Sequence, residues 1–370
     1  MWKTARLGAA LLVVGLSGAA GAAEAPLTPE AINQAQFGAG AASQEKGARE
    51  SGKKETKPAK ATEKATEKAD EKPDGKRADP LTVRVQVLLD RAGFSPGAID
   101  GRDGDNLRGA LTGFAKAKGL TSSGQLDAPV WQALSGTSQD PAVTQYTLTE
   151  QDVAGPFVEE IPPKMEEQAD LKALSYTSPA EMLAERFHMS KGLLEALNPD
   201  AALTKAGTVI TVAAVPPLET GRIPGKELPQ APKVTRIEVD KDALQVRAYG
   251  EDGALIHLYP ASIGSEEKPA PSGVLKVESV AFDPTYTYNP KYEFKGVEAK
   301  HKFTIKPGPN SPVGVVWIDL SGDDGYGIHG TPEPEKVGKT ESHGCVRLTN
   351  WDARDLAKHV AKGATVDFGK

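Results

Sequence analysis

The chain has one cysteine in 370 residues, so it forms no internal disulfide. Aromatic residues make up 6% and hydrophobic residues 39%. That is thin for one large core but adequate for several small ones. A basic excess is also missing: 44 Lys and Arg against 50 Asp and Glu give a formal charge of −6. Phosphate binding needs a basic face, so nothing points to nucleic acid as a partner. After the N-terminal stretch, no apolar run approaches the ~20 residues that cross a bilayer. Glycine and proline, by contrast, are plentiful at 38 and 28 residues. At ~100–200 residues per domain, this length fits two or three domains.

The first residues read as an export signal. Lys3 and Arg6 precede the apolar run Leu7 to Gly18, and small residues follow at Ala20-Gly21-Ala22. A signal peptide is therefore expected over 1–22, with membrane contact only through it if it stays uncleaved. Residues 23–80 are expected to be a disordered Lys/Glu/Ala-rich linker. Glu45 to Lys76 holds almost no large apolar residue and cannot offset its chain entropy.

The first folded unit is expected over 81–136. Leu81, Val85, Leu88, Leu89 and Ala92 follow helical spacing and Gly93 ends the run. Asn106 is placed to cap a second helix facing inward with Leu107, Leu111 and Phe114; Asp127 caps a third, with Pro129 in its first turn. Val85-Gln-Val-Leu-Leu89, Gly93-Phe94, Pro96-Gly97, Ile99-Asp100-Gly101, Lys118-Gly119-Leu120, Leu126-Asp127 and Trp131 make this bundle resemble the small peptidoglycan-binding domain found beside wall enzymes. The loop Asp100 to Asn106 departs from a calcium-loop spacing and reads as tight turns.

A second unit is expected over 145–212. Ser178 caps a helix begun by Pro179, Leu193, Leu194 and Leu197 form a second helical face ended by Asn198-Pro199, and Val209 to Val212 reads as a strand. The order strand, two helices, strand, with Leu197-Asn198-Pro199 and Gly207, resembles a LysM module, although Tyr176-Thr-Ser-Pro179 replaces its usual Gly-Asp-Thr start. A structural spacer is the other reading. His188 reads as a packing histidine. Residues 215–232 read as a linker, and the third unit as 233–370. There Thr235 to Asp240, Leu244 to Tyr249 and Ala254 to Tyr259 alternate as hairpin strands, with more strand at Val274 to Val280 and Gly314 to Leu320. One helix is expected over Trp351 to Ala361, capped by Asn350.

The chemistry-bearing residues cluster late. Tyr326-Gly-Ile-His329-Gly330-Thr331 precedes Ser342-His343-Gly344-Cys345-Val346-Arg347, with Cys345 sixteen residues after His329. A thiol becomes a nucleophile beside a base or a positive charge. His329 and His343 are the candidate bases. Gly344 permits a tight turn whose amides point at one oxyanion. Arg347 is suited to a substrate carboxylate. His329, His343 and Cys345 are also zinc-ligand types, but a closed site wants four ligands and no acidic fourth stands out. A buried inert thiol is the remaining plain reading. His257, His301 and His359 are assigned no role beyond surface or packing.

This motif, with Pro271-Ser-Gly273, Pro309-Asn-Ser-Pro-Val-Gly314 before Trp317-Ile318, and Asn350-Trp-Asp352, resembles the catalytic domain of the L,D-transpeptidases, the YkuD fold. The resemblance implies a multidomain chain: a three-helix peptidoglycan-binding bundle, an α+β LysM-like module and a mostly-β catalytic domain with one C-terminal helix. It implies Cys345 as nucleophile, His329 as general base, and the Gly330 carbonyl as its orienter. His343, Gly344 and Cys345 would shape the oxyanion hole. Arg347, Ser342 and Tyr326 would contact substrate, Ser342 also supporting the turn. No cofactor is implied. The donor would be a peptidoglycan stem tetrapeptide losing D-alanine, and the acceptor an amine of another stem or of a lipoprotein. The location would be the periplasm or cell envelope. A hydrolase using the same thiol, and a non-catalytic wall-binding protein, are the alternatives.

Overall fold

The computed structural model describes residues 26–38, 77–221, 233–265, 268–290, 299–322, 325–340, 342 and 344–369. The expected signal over 1–22 lies outside the described residues, as does most of the expected linker over 23–80. Part of that linker departs from expectation. Helix α1, Pro29–Gln34, is capped by Thr28, whose side chain accepts from the Ala31 amide at 3.1 Å. Its Ile32 is fully buried among Val83, Val87 and Val143. Ile32, the Thr28 cap and a pair of hydrogen bonds between the Asn33 side chain and the Val143 backbone, at 2.9 and 3.1 Å, dock a segment whose composition reads as disordered.

The first unit holds α2 (Pro80–Arg91), α3 (Asp105–Ala117) and α4 (Ala128–Ser135). Asp127 caps α4 as expected, accepting from the Val130 amide at 2.9 Å. Asn106 does not cap α3: Gly104 takes that position, and the Asn106 amide donates instead to the Val337 carbonyl of the third unit at 2.9 Å. The second unit pairs strand β1 (Val143–Thr147) antiparallel with β2 (Val209–Ala213) around α5 (Glu150–Ala154), α6 (Met165–Gln168), α7 (Pro179–Arg186) and α8 (Lys191–Leu197). Ser178 caps α7, and Pro179 opens it.

The third unit is mostly β. Its strands are β3 (Val234–Asp240), β4 (Gln245–Tyr249), β5 (Leu255–Pro260), β6 (Ser262–Ile263), β7 (Val274–Phe282), β8 (Tyr286–Tyr288), β9 (Phe303–Ile305), β10 (Val316–Leu320), β11 (Gly327–His329), β12 (Val346–Arg347) and β13 (Val360–Asp367). Nine of them form one sheet in the order β5-β4-β3-β13-β7-β10-β11-β12-β6. The two edges, β5 and β6, are separated only by Ala261, so the chain itself joins one edge to the other and curls the sheet toward closure. The helix α9 (Asn350–His359) packs against β10 and β11. Its cap is Thr349, accepting from the Asp352 amide at 3.1 Å, and not Asn350. The helix also stops at His359, where β13 begins directly.

The units are not beads on linkers. Leu258 of β5 is buried in the core of the first unit with Phe94, Leu107 and Phe114, and the Ser95 amide donates to its carbonyl at 2.8 Å. Ile99 is buried with Leu183 and Phe187 of the second unit, and its amide donates to the His188 carbonyl at 2.8 Å. His188 pairs with Asp90 at 2.9 Å and stacks on Trp351 with centroids 5.1 Å apart, so it touches all three units. The expected 215–232 linker is docked where described: Val215 and Leu218 are buried, and the Leu218 amide donates to the Arg186 carbonyl. Sequence periodicity shows which face of an element is apolar but not which neighbour covers it.

Truncating Leu258 removes a side chain that two units share. Leu258→Ala is expected to cost about 2–5 kcal/mol in urea denaturation, the range for a buried leucine. It should also separate one unfolding transition into two as the first unit loosens from the sheet.

Candidate active site

The sheet register assembles the residues singled out in the motif. Strand β11 pairs antiparallel with β10, Trp317 opposite His329 and Ile318 opposite Ile328. It pairs parallel with β12, Ile328 opposite Val346 and His329 opposite Arg347, and Val346 faces Ile263 of β6. Side chains alternate along strands, and directly opposed residues share a face. Ile318, Ile328, Val346 and Ile263 therefore form a row in the core, all buried. Trp317, His329 and Arg347 form the corresponding row on the other face. Cys345, two residues before Arg347, enters β12 beside the β11 segment that carries His329.

His329 is buried. Its Nδ1 lies 2.7 Å from the Gly330 carbonyl oxygen, which fixes Nδ1 as the protonated nitrogen and leaves a lone pair on Nε2. The Trp317 ring stacks on the imidazole, centroids 5.5 Å apart and planes 17° apart. The Trp317 indole donates to Asp319 at 3.1 Å, which sets its orientation. Burial, together with the Arg347 guanidinium, lowers the His329 pKa to about 3, against the opposing pull of the Gly330 carbonyl. The imidazole is thus neutral at physiological pH.

Cys345 is half-buried, with Sγ 4.0 Å from the Gly325 carbonyl. Burial pushes its thiol up, while the Gly327 amide and the Arg347 charge work in the opposite direction. The thiol and the imidazole are therefore both neutral at physiological pH. Gly344 has φ +102°, a conformation that glycine tolerates, and is packed near the Tyr326 ring. Ser342 holds the turn from within: the Gly264 amide donates to its hydroxyl at 2.6 Å, and that hydroxyl donates to the Cys345 carbonyl. Arg347 is half-buried near Cys345, Glu333 and Tyr286. His343 lies outside the described residues.

Four contributors carried no site role in the motif. Tyr286 of β8 lies close enough to Cys345 and Arg347 to feel both charges, and burial raises its phenol above the ordinary range. Trp317 covers the imidazole. Asn350 sits behind it: Asn350 Oδ1 accepts from the Val315 amide at 3.1 Å, and its Nδ2 donates to the Pro309 carbonyl at 3.1 Å. A β-carbon on Gly314 or Gly330 would collide with Asn350 Oδ1, so glycine at both positions permits this approach. The fourth is Glu185, from α7 of the second unit. Its carboxyl accepts from Asn350 Nδ2 and, at 3.5 Å, from the Tyr176 hydroxyl. Burial raises its pKa to about 8, with Glu181 adding to the shift. A side chain from another unit thus holds the residue that packs against Gly330, whose carbonyl orients His329. The Pro309-to-Gly314 and Asn350 stretches were visible in the sequence, but no local pattern links them to Glu185.

Comparison with known proteins agrees with this architecture. Residues 234–367 match the family described as L,D-transpeptidase catalytic domain, YkuD, and residues 79–134 match one described as "Putative peptidoglycan binding domain". The chain therefore carries a YkuD-type L,D-transpeptidase catalytic domain joined to a peptidoglycan-binding domain. A Bacillus licheniformis protein named "Putative L,D-transpeptidase YkuD" is 32% identical over 36% of this chain and 64% of its own length. "Probable L,D-transpeptidase YbiS" of Escherichia coli is 27% identical over 52% of this chain and 60% of its own. The chain thus spans about three-fifths of the length of these relatives. L,D-transpeptidase 3 from Mycobacterium tuberculosis, a solved structure, aligns at 15% identity and TM-score 0.31 over 45% of this chain and 75% of that one, too loosely to carry an argument.

Two buried groups give pH slopes of opposite sign. His329 is held below its unfolded pKa, so the unfolded chain takes up its proton first, and stability falls as pH drops from about 6.5 toward 3. Glu185 is held above its unfolded pKa, so its contribution is complete below about 4.5 and is lost as pH rises through about 8. Thermal melting across pH should show Glu185→Gln matching the parent near pH 5 and exceeding it above pH 8. Equal loss in both proteins above pH 8 would remove Glu185 as the source.

Proposed function

We propose that the chain is an exported cysteine L,D-transpeptidase acting on peptidoglycan stem peptides through a thioester acyl-enzyme. The observation that supports this most directly is the parallel pairing of β11 with β12, which sets the His329 strand beside Cys345 while the Gly330 carbonyl orients the imidazole. In this reading His329 Nε2 takes the Cys345 proton as sulfur attacks the carbonyl between the third residue of a stem tetrapeptide and its terminal D-alanine. The oxyanion is held by the Gly344 and Cys345 amides with His343. The intermediate collapses, the His329 imidazolium protonates the leaving amine, and D-alanine departs. An acceptor amine then gives its proton to His329 and attacks the thioester, forming the crosslink and restoring the thiol. Arg347 and Tyr326 bind the donor, and Ser342 keeps the turn in shape. Tyr286, beside Cys345 and Arg347, lines the donor side.

The proposed organisation is a signal over 1–22, a linker over 23–80, a peptidoglycan-contacting unit over 81–136, a LysM-like module over 145–212, a linker over 215–232 and the catalytic domain over 233–370. The reaction then takes place in the periplasm or cell envelope, with a stem amine or a lipoprotein amine as acceptor. Four helices rather than the expected two lie between β1 and β2, and it is the α7–α8 pair beside the antiparallel β1–β2 ribbon that supports the LysM-like assignment.

Incubating the protein lacking residues 1–22 with a disaccharide-tetrapeptide tests the reading. Dimers with released D-alanine are expected, and Cys345→Ala should lower turnover by about 10⁴-fold or more. Tripeptide alone would replace transpeptidation with hydrolysis at the same thiol. A carbapenem should add one adduct at Cys345 by intact mass, and an adduct elsewhere would count against the mechanism.

A further inference from the structure

Helix α9 and strand β5 carry a second group of chemically capable side chains, none of them part of the thiol motif. Asp355 and His359 are four residues apart on α9 and share a helix face. His257 arrives from the edge strand β5. Each offers one ligand atom, and the three atoms lie within 4.8 Å of one another, the only such histidine, cysteine or carboxylate group among the described residues. His257 Nδ1 is 3.3 Å from Asp355 Oδ2, close to the ligand separation in a tetrahedral site with bonds of about 2.0–2.1 Å. The two imidazole centroids are 4.9 Å apart. His257 Nδ1 is buried and makes no hydrogen bond of acceptable geometry, an orphan nitrogen that is costly to leave unused.

We propose that His257, Asp355 and His359 form a divalent transition-metal site of the zinc class, joining β5 to the C-terminal turn of α9. Two imidazoles, one carboxylate and no thiolate make a borderline donor set, suited to zinc, nickel or cobalt and unlike the all-oxygen shells of calcium and magnesium. Outer contacts hold the ligands in place. The Tyr259 hydroxyl donates to Asp355 Oδ2 at 2.7 Å, and His359 Nδ1 lies 2.8 Å from the Asp355 backbone carbonyl. The Asp355 side chain is 41% exposed, which gives an ion a route in and a solvent-facing fourth position. Gly93 of the first unit closes the other side: a β-carbon there would come within 2.8 Å of His257 Nδ1. An ion here would fasten the edge strand at the point where the first unit rests on it.

The test uses the full chain carrying Cys345→Ser, which removes the thiol from any competing site. Zinc titration is followed by calorimetry and by melting temperature, and cobalt by its visible absorption. The expected result is one saturable site that raises the melting temperature. Asp355→Asn and His359→Gln keep hydrogen-bonding shapes and should each weaken zinc binding by at least about ten-fold while preserving the metal-free circular dichroism. Absence of saturable binding, or binding that neither substitution weakens, overturns the proposal.

Discussion

Everything at the thiol depends on a two-residue stretch of parallel pairing. Ile328 lies opposite Val346 and His329 opposite Arg347, pairing in parallel two consecutive strands that a sixteen-residue connection separates. The pairing is short, yet its register is strongly held. On the core side the same pairing aligns Ile318, Ile328, Val346 and Ile263 in one buried row. A slip of one residue would turn that row outward and send His329 into the core. The alternation that buries the isoleucines is therefore what presents the imidazole, and the Leu348 amide, donating to the His329 carbonyl at 2.8 Å, extends the match beyond the strands.

Much of this was legible in order and composition. The strands of the third unit, the helices of the first and the caps at Asp127 and Ser178 follow local rules that act within a few residues. The thiol, its glycine turn and the upstream histidine stand out because those residue types at that spacing favour one chemistry. The misreadings have a common cause. Asn106 and Asn350 have the right chemistry to cap a helix, but each is drawn to a partner more than a hundred residues away, and Gly104 and Thr349 take the cap positions. Thr28 and Pro29 were a readable helix start within a stretch whose average composition argued for disorder. Glu185 was unreadable, because its meaning depends on another unit folding against it.

Glu185 and His329 illustrate how burial sets protonation without any close opposite charge dominating. Desolvation leads in both, raising the acid and lowering the base, so each is held neutral near physiological pH. A neutral carboxyl can sit at the seam between units and still receive the Asn350 amide. A neutral imidazole can lie beneath Trp317 and keep its Nε2 lone pair. The two are linked through Asn350 and Gly330, so the packing of the second unit and the orientation of the His329 ring belong to one continuous set of contacts.

The shared cores also bear on how such a chain can change over generations. Leu258 sits in the interior of a helical bundle that belongs to a different stretch of sequence, and Ile99 and Ile32 do the same for the strand-and-helix unit. Modules that meet only through flexible connections can be exchanged wholesale between genes. Here a swapped bundle would arrive with no socket for Leu258 and no partner for His188. Recombination at the apparent boundaries would be penalised, and these units should be inherited together.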